Sequence, residues 1–74
     1  MNDLPCLSGR DVCAALSKMG FIFKRQHGSH IVMRREIPFA QVTVPDHKEI
    51  DRGTLRAIIR QAGLSVKELI DLLH

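Results

Sequence analysis

The sequence predicts an α+β fold. A three-stranded antiparallel meander carries helices on one face, in the order α-β-β-β-α-α. Three observations predict it. Apolar residues recur at helical spacing near both ends of the chain and at alternating spacing in the middle. Glycine and proline punctuate the changes of element. The 74 residues, 45% hydrophobic and 26% charged, suffice for one small two-layer domain spanning residues 1–74 and no second core.

Each element follows in order. Residues 1–7 read as a short leader. Ser8 and Asp11 have the spacing of a capping box, so a helix begins at Gly9. Val12, Leu16 and Met19 form its apolar stripe and Gly20 stops it, giving a helix over about 9–19. Phe21 to Gln26 alternate as a strand, with Phe21 and Phe23 inward and Ile22, Lys24 and Gln26 outward. His27-Gly28-Ser29 is a hairpin turn, since Gly28 takes a positive φ at low cost. His30 to Arg35 form the second strand, with Ile31 and Met33 inward and His30, Val32 and Arg34 outward. Pro38 breaks the loop of residues 36–39. Ala40 to Val44 form the third strand, with Val42 and Val44 inward, and Pro45 ends it. Asp51 caps a helix over 52–62 that buries Leu55, Ile58, Ile59 and Ala62 and closes at Gly63. Ser65 and Glu68 form a second capping box, which starts the last helix through Leu73.

Composition narrows the function. Lys and Arg number 11 against 8 Asp and Glu, a net charge of +3. That balance suits a polyanionic partner without requiring one. Trp and Tyr are absent and Phe occurs three times, so base stacking on an aromatic platform is poorly supported. No apolar run approaches the roughly 18 residues of a membrane helix. The start, MNDLPCLSGRD, lacks the basic and apolar regions of a signal peptide, and the expected location is cytoplasmic. Cys6 and Cys13 fit no zinc-ligand spacing and are expected as reduced thiols. Neither a metal nor a cofactor is expected.

Seven of the eleven basic residues fall into two clusters. Lys24, Arg25, Arg34 and Arg35 lie on the first two strands. Arg52, Arg56 and Arg60 recur every fourth residue and share a helix face. The planar fork of arginine suits phosphate. Such residues equally make a solvated helix face and a charge-protected sheet edge. His30 follows the turn and neighbours the strand cations. RNA cleavage needs a base for the ribose 2′-hydroxyl, an acid for the leaving 5′-oxygen and cations for the phosphate. Histidine, with an unperturbed pKa of about 6.5, performs either proton transfer. On the residues alone, His30 is either that group or a surface histidine at a hairpin end. No paired carboxylates accompany it, which disfavours metal-assisted cleavage. His47, just before the second long helix, either touches phosphate or satisfies a local backbone group. Gly53 opens that helix's N-terminus to an anion, but the Asp51 carboxylate competes for the same amides.

Several segments in order resemble one family. They are Ser8-Gly9-Arg10-Asp11, Met19-Gly20-Phe21, Arg25-Gln26-His27-Gly28-Ser29-His30 and Val44-Pro45-Asp46-His47. Asp51-Arg52-Gly53-Thr54-Leu55-Arg56-Ala57-Ile58 and Gln61-Ala62-Gly63-Leu64-Ser65 complete the series. The chain resembles the HicA (YcfA-like) toxins of toxin–antitoxin systems from about Ser8 to Leu72. His27 stands where the family often has Lys, a mild departure that changes charge near the motif. The resemblance implies a double-stranded-RNA-binding-domain-like fold and mRNA interferase activity. It places the catalytic histidine of the Gly-Ser-His motif at His30. It also implies a partner antitoxin, HicB, which masks that histidine.

The leading expectation is therefore a metal-independent endoribonuclease acting on mRNA. His30 is its catalytic group. Lys24, Arg25, Gly28, Ser29, Arg34, His47, Arg52 and Arg56 are its RNA-binding residues. Two alternatives stand beside it. One is a non-catalytic double-stranded-RNA-binding module using the Arg52, Arg56 and Arg60 face. The other is a protein-interaction domain using Ile22 and Val32 on the open sheet face.

Overall fold

The structure, a computed structural model, describes residues 4–73. Its elements are α1 (Gly9–Ser17), β1 (Ile22–His27), β2 (His30–Arg35), β3 (Ala40–Pro45), α2 (Arg52–Ala62) and α3 (Val66–Leu72). The strands form one antiparallel sheet in the order β1-β2-β3. The predicted α+β order holds throughout.

The caps explain the helix boundaries. The Ser8 hydroxyl accepts from the Asp11 amide at 3.1 Å, and the Asp11 carboxylate accepts from the Ser8 amide at 3.2 Å. The Ser65–Glu68 pair repeats this reciprocal arrangement at α3. Asp51 caps α2, and Gly63 ends it at φ 76° in the left-handed region. α1 ends at Ser17, two residues before the predicted limit, and a tight turn carries the chain through Gly20 at φ 90°.

One face of the sheet and the helices share the core. Phe21, Leu16, Leu55, Leu69, Val12, Val42 and Val44 are almost fully buried. α2 packs chiefly on β3, and α1 touches β3 as well. Leu4 and Leu7 are also buried, and the Leu7 carbonyl accepts from the Ile50 amide at 2.8 Å. Leu4 and Leu7 thus belong to the core rather than to a leader, while residues 1–3 of the predicted leader lie outside the described residues. A domain this small uses every available apolar side chain to close its thin core.

Two side assignments are corrected. β1 carries a register shift between Phe23 and Arg25, so Lys24 and Arg25 together oppose Val32. Beyond that bulge the alternation reverses. Gln26 pairs with Ile31 and lies on the helix-facing side, and Arg25 moves to the open face. Phe23 keeps the inward direction opposite Met33, yet it is 59% exposed because no helix covers β1. On the open face Val32 is only 7% exposed, not the accessible apolar residue expected. It lies on the middle strand between Arg25 and Thr43. Long side chains on flanking strands shield apolar surface in such positions.

Candidate functional site

The hairpin turn sets the position of His30. Gly28, at φ 57°, is the one turn residue with positive φ, the pattern of a type II′ turn. His27 and His30 face each other across its first pair. His30 also pairs with Pro45 of β3, two residues before His47. The Asp46 amide donates to the Ser29 carbonyl at 2.6 Å and so joins the turn to the end of β3.

This corner is held from three sides. The Asp46 carboxylate accepts from the Gln26 side chain at 3.2 Å and pairs with Arg10 at 3.5 Å. The Gln26 amide group also donates to the Gly28 carbonyl at 2.9 Å. The Gly9 amide, at the start of α1, donates to the His47 carbonyl at 2.9 Å. A side chain at Gly9 would overlap the Pro45 carbonyl oxygen, so only glycine fits there. The Ser-Gly opening of α1 therefore serves the Pro45–His47 corner as well as the helix.

The result is a depression of about 300 Å³ between the sheet and the start of α2, lined by His30, Thr43, Pro45, His47, Asp51 and Thr54. Two histidines from separate segments converge on it. Asp51 lines it too, and its carboxyl is held below the usual carboxylate range. The Thr54 hydroxyl at 2.7 Å is the main cause, with the Thr54 amide next. That carboxylate accepts from the Thr54 amide, so of the two uses weighed for the start of α2 the chain's own cap takes it.

The other predicted residues divide. Arg25 is exposed on the open face opposite Val32, the next residue on the side of the sheet that carries His30; Lys24 is its bulge partner and is also exposed. Gly28 and Ser29 form the turn directly before His30. Arg34 shares the face but stands one pair further along. It is half-buried, bonds Gln41 at 2.9 Å and lies 3.9 Å from Glu36. Arg35 is spent structurally, over the Phe21 ring at 4.7 Å and bonded to the Pro38 carbonyl. Arg52 and Arg56 do not join His30. Successive helix residues turn by about 100°, which sets Arg52, Arg56 and Arg60 away from Thr54, Ala57 and Gln61, the side facing β3. Arg56 and Arg60 border α3 instead.

Sequence reasoning missed Thr43, Thr54 and the Gln26–Asp46–Arg10 linkage. No local signal marks the first two as site residues, and the bulge hid the third. Among the described residues no three His, Cys, Asp or Glu side chains converge as metal ligands, and no helix is long and apolar enough to cross a membrane. Cys13 is half-buried and Cys6 exposed. Burial, and then the Asp46 carboxylate, push the Cys13 thiol up, which disfavours the nucleophilic thiolate.

A family model described as HicA toxin of bacterial toxin-antitoxin matches residues 9–64, more than half of the chain. Among curated proteins no match is found.

Proposed function

The chain belongs to the HicA toxin family of bacterial toxin–antitoxin systems, and on that premise we propose that it is a metal-independent endoribonuclease that cleaves mRNA in the cytoplasm. The observation that carries this reading is the convergence of His30 and His47 on one depression beside the start of α2. Arg25 lies on the face of the sheet that carries His30, and Lys24 is its bulge partner.

His30 takes the proton from a ribose 2′-hydroxyl. The freed oxygen attacks the adjacent phosphorus and the bond to the 5′-oxygen breaks. His47 contacts the same phosphate and returns a proton to that leaving oxygen. The products are a 2′,3′-cyclic phosphate and a 5′-hydroxyl. Lys24, Arg25 and, further along, Arg34 offset the charge on the phosphate. The Gly28-Ser29 turn lets the RNA backbone approach His30. Arg52 and Arg56 hold flanking RNA away from the cut. The α-β-β-β-α order supports a double-stranded-RNA-binding-domain-like fold. A HicB-type antitoxin neutralises the toxin by covering His30.

The separate stripe of Arg52, Arg56 and Arg60 favours a second reading, a non-catalytic double-stranded-RNA binder. One assay separates the two: purified protein with mixed-sequence RNA in the presence of a chelator. Cleavage leaving cyclic-phosphate ends is expected, and His30→Ala should slow it by about 10²–10⁴-fold. Undiminished cleavage by His30→Ala, or loss of wild-type cleavage on chelation, overturns the mechanism. RNA retention without cleavage by the wild type selects the binder.

A further inference from the structure

β1 is one of the two edge strands of the sheet, and all six of its residues are exposed. Between it and α1 lies a cleft of about 330 Å³, whose lining includes Cys13, Ala14, Phe23, Ile31 and Met33. Ile31 and Met33 are buried and form its floor, and Phe23 is an exposed wall. Arg10 lines it as well, and Lys24 and Arg25 stand on the strand. No Asp or Glu lines it. The cleft is on the helix side of the sheet and His30 on the other, so the two surfaces are distinct.

We propose that this cleft and the free edge of β1 dock an acidic, extended segment of the antitoxin, which adds as a fourth strand and sets an apolar side chain beside Phe23 and Ala14. Main-chain hydrogen bonds along the strand supply affinity, and the apolar cleft supplies specificity. The edge offers about 20 Å of unpaired backbone at the usual rise per residue. Charge selects the occupant. A second copy pairing through β1 brings two Lys24-Arg25 pairs together, and like charges facing each other across strands destabilise pairing. The bulge and the cations bar self-association and leave an oppositely charged strand favoured. The inference rests on the antitoxin part of the proposed function and not on RNA cleavage. A strand docked here leaves His30 uncovered, so masking needs a further contact from the antitoxin.

The test measures the Kd of the cognate antitoxin for the full toxin by calorimetry, with amide hydrogen exchange on the same complex. Phe23→Glu and the double variant Lys24→Glu/Arg25→Glu should each weaken binding at least about tenfold. Lys67→Glu on α3, a matched charge reversal, should stay within about twofold of wild type. Amides of residues 22–27 should gain protection in the complex. Unchanged exchange along β1, or wild-type affinity in both variants, overturns the proposal even where exchange falls around His30. RNA cleavage by the free toxin, assayed separately, reports on the nuclease reading alone. Absence of binding by wild type removes the antitoxin part and this inference together.

Discussion

The two outer strands of the sheet differ in almost every physical respect. β3 lies under α1 and α2, its Val42 and Val44 are buried, and its end is tied to the hairpin turn and to the start of α1. β1 has no helix above it and leaves the inward-pointing Phe23 59% exposed. The cause is size. Two helices over three strands cover only part of the sheet, and the apolar residues of β2 and β3 claim them. The packed side provides a hydrogen-bonded corner where two histidines line one depression. The open side leaves a strand edge and an apolar side chain exposed.

Paired truncations break this comparison most directly. Leu55→Ala, on the buried side of α2, should cost about 2–5 kcal/mol. Phe23→Ala should cost no more than about 0.5 kcal/mol, since it empties no packed site. Chemical denaturation checks both, and equal losses would mean that β1 is packed after all.

Gly9→Ala tests the corner next. Its methyl group displaces the Pro45 carbonyl, and overpacking of this kind costs about 1–3 kcal/mol. RNA cleavage should fall beyond the loss of folded protein, because His47 moves with Pro45. Normal stability together with normal cleavage would remove Gly9 from the site's support.

The smallest effect concerns Asp51 at the start of α2. Its folded pKa lies below the usual carboxylate value. Its stabilising contribution is therefore present above the unfolded pKa of about 3.9 and is lost as pH falls through the folded value. Asp51→Asn keeps a capping side chain and removes this titration. Thermal unfolding from neutral pH down to pH ~2 should be less pH-dependent in the variant than in wild type. Identical profiles would mean that the cap contributes no linkage.

Much of this molecule was legible from local patterns. The Ser8–Asp11 and Ser65–Glu68 boxes, the Asp51 cap and the Gly63 stop each involve residues within a few positions of one another. Their hydrogen bonds form wherever the helix forms. The alternation of Ile31 and Met33, and of Val42 and Val44, likewise predicts their burial. Legibility failed at Phe23, where exposure depends on where a helix lands. It failed at Gln26, where one extra residue in the strand reversed the sides. It also failed at Leu4 and Leu7, whose burial depends on distant Ile50 and its neighbours.

The candidate site divides in the same way. Its turn and neighbouring cations left His30 open between two roles, and the family resemblance singled it out. Its companionship with His47 did not, because seventeen positions separate them and only the β2–β3 register brings them together. By itself the sequence determined the elements, their caps and the buried faces of the helices and of β3, since those rest on short-range hydrogen bonds and on periodicity. Tertiary structure alone decided which strand stayed uncovered and which histidines met. Both outcomes depend on pairing and packing between segments far apart in the chain.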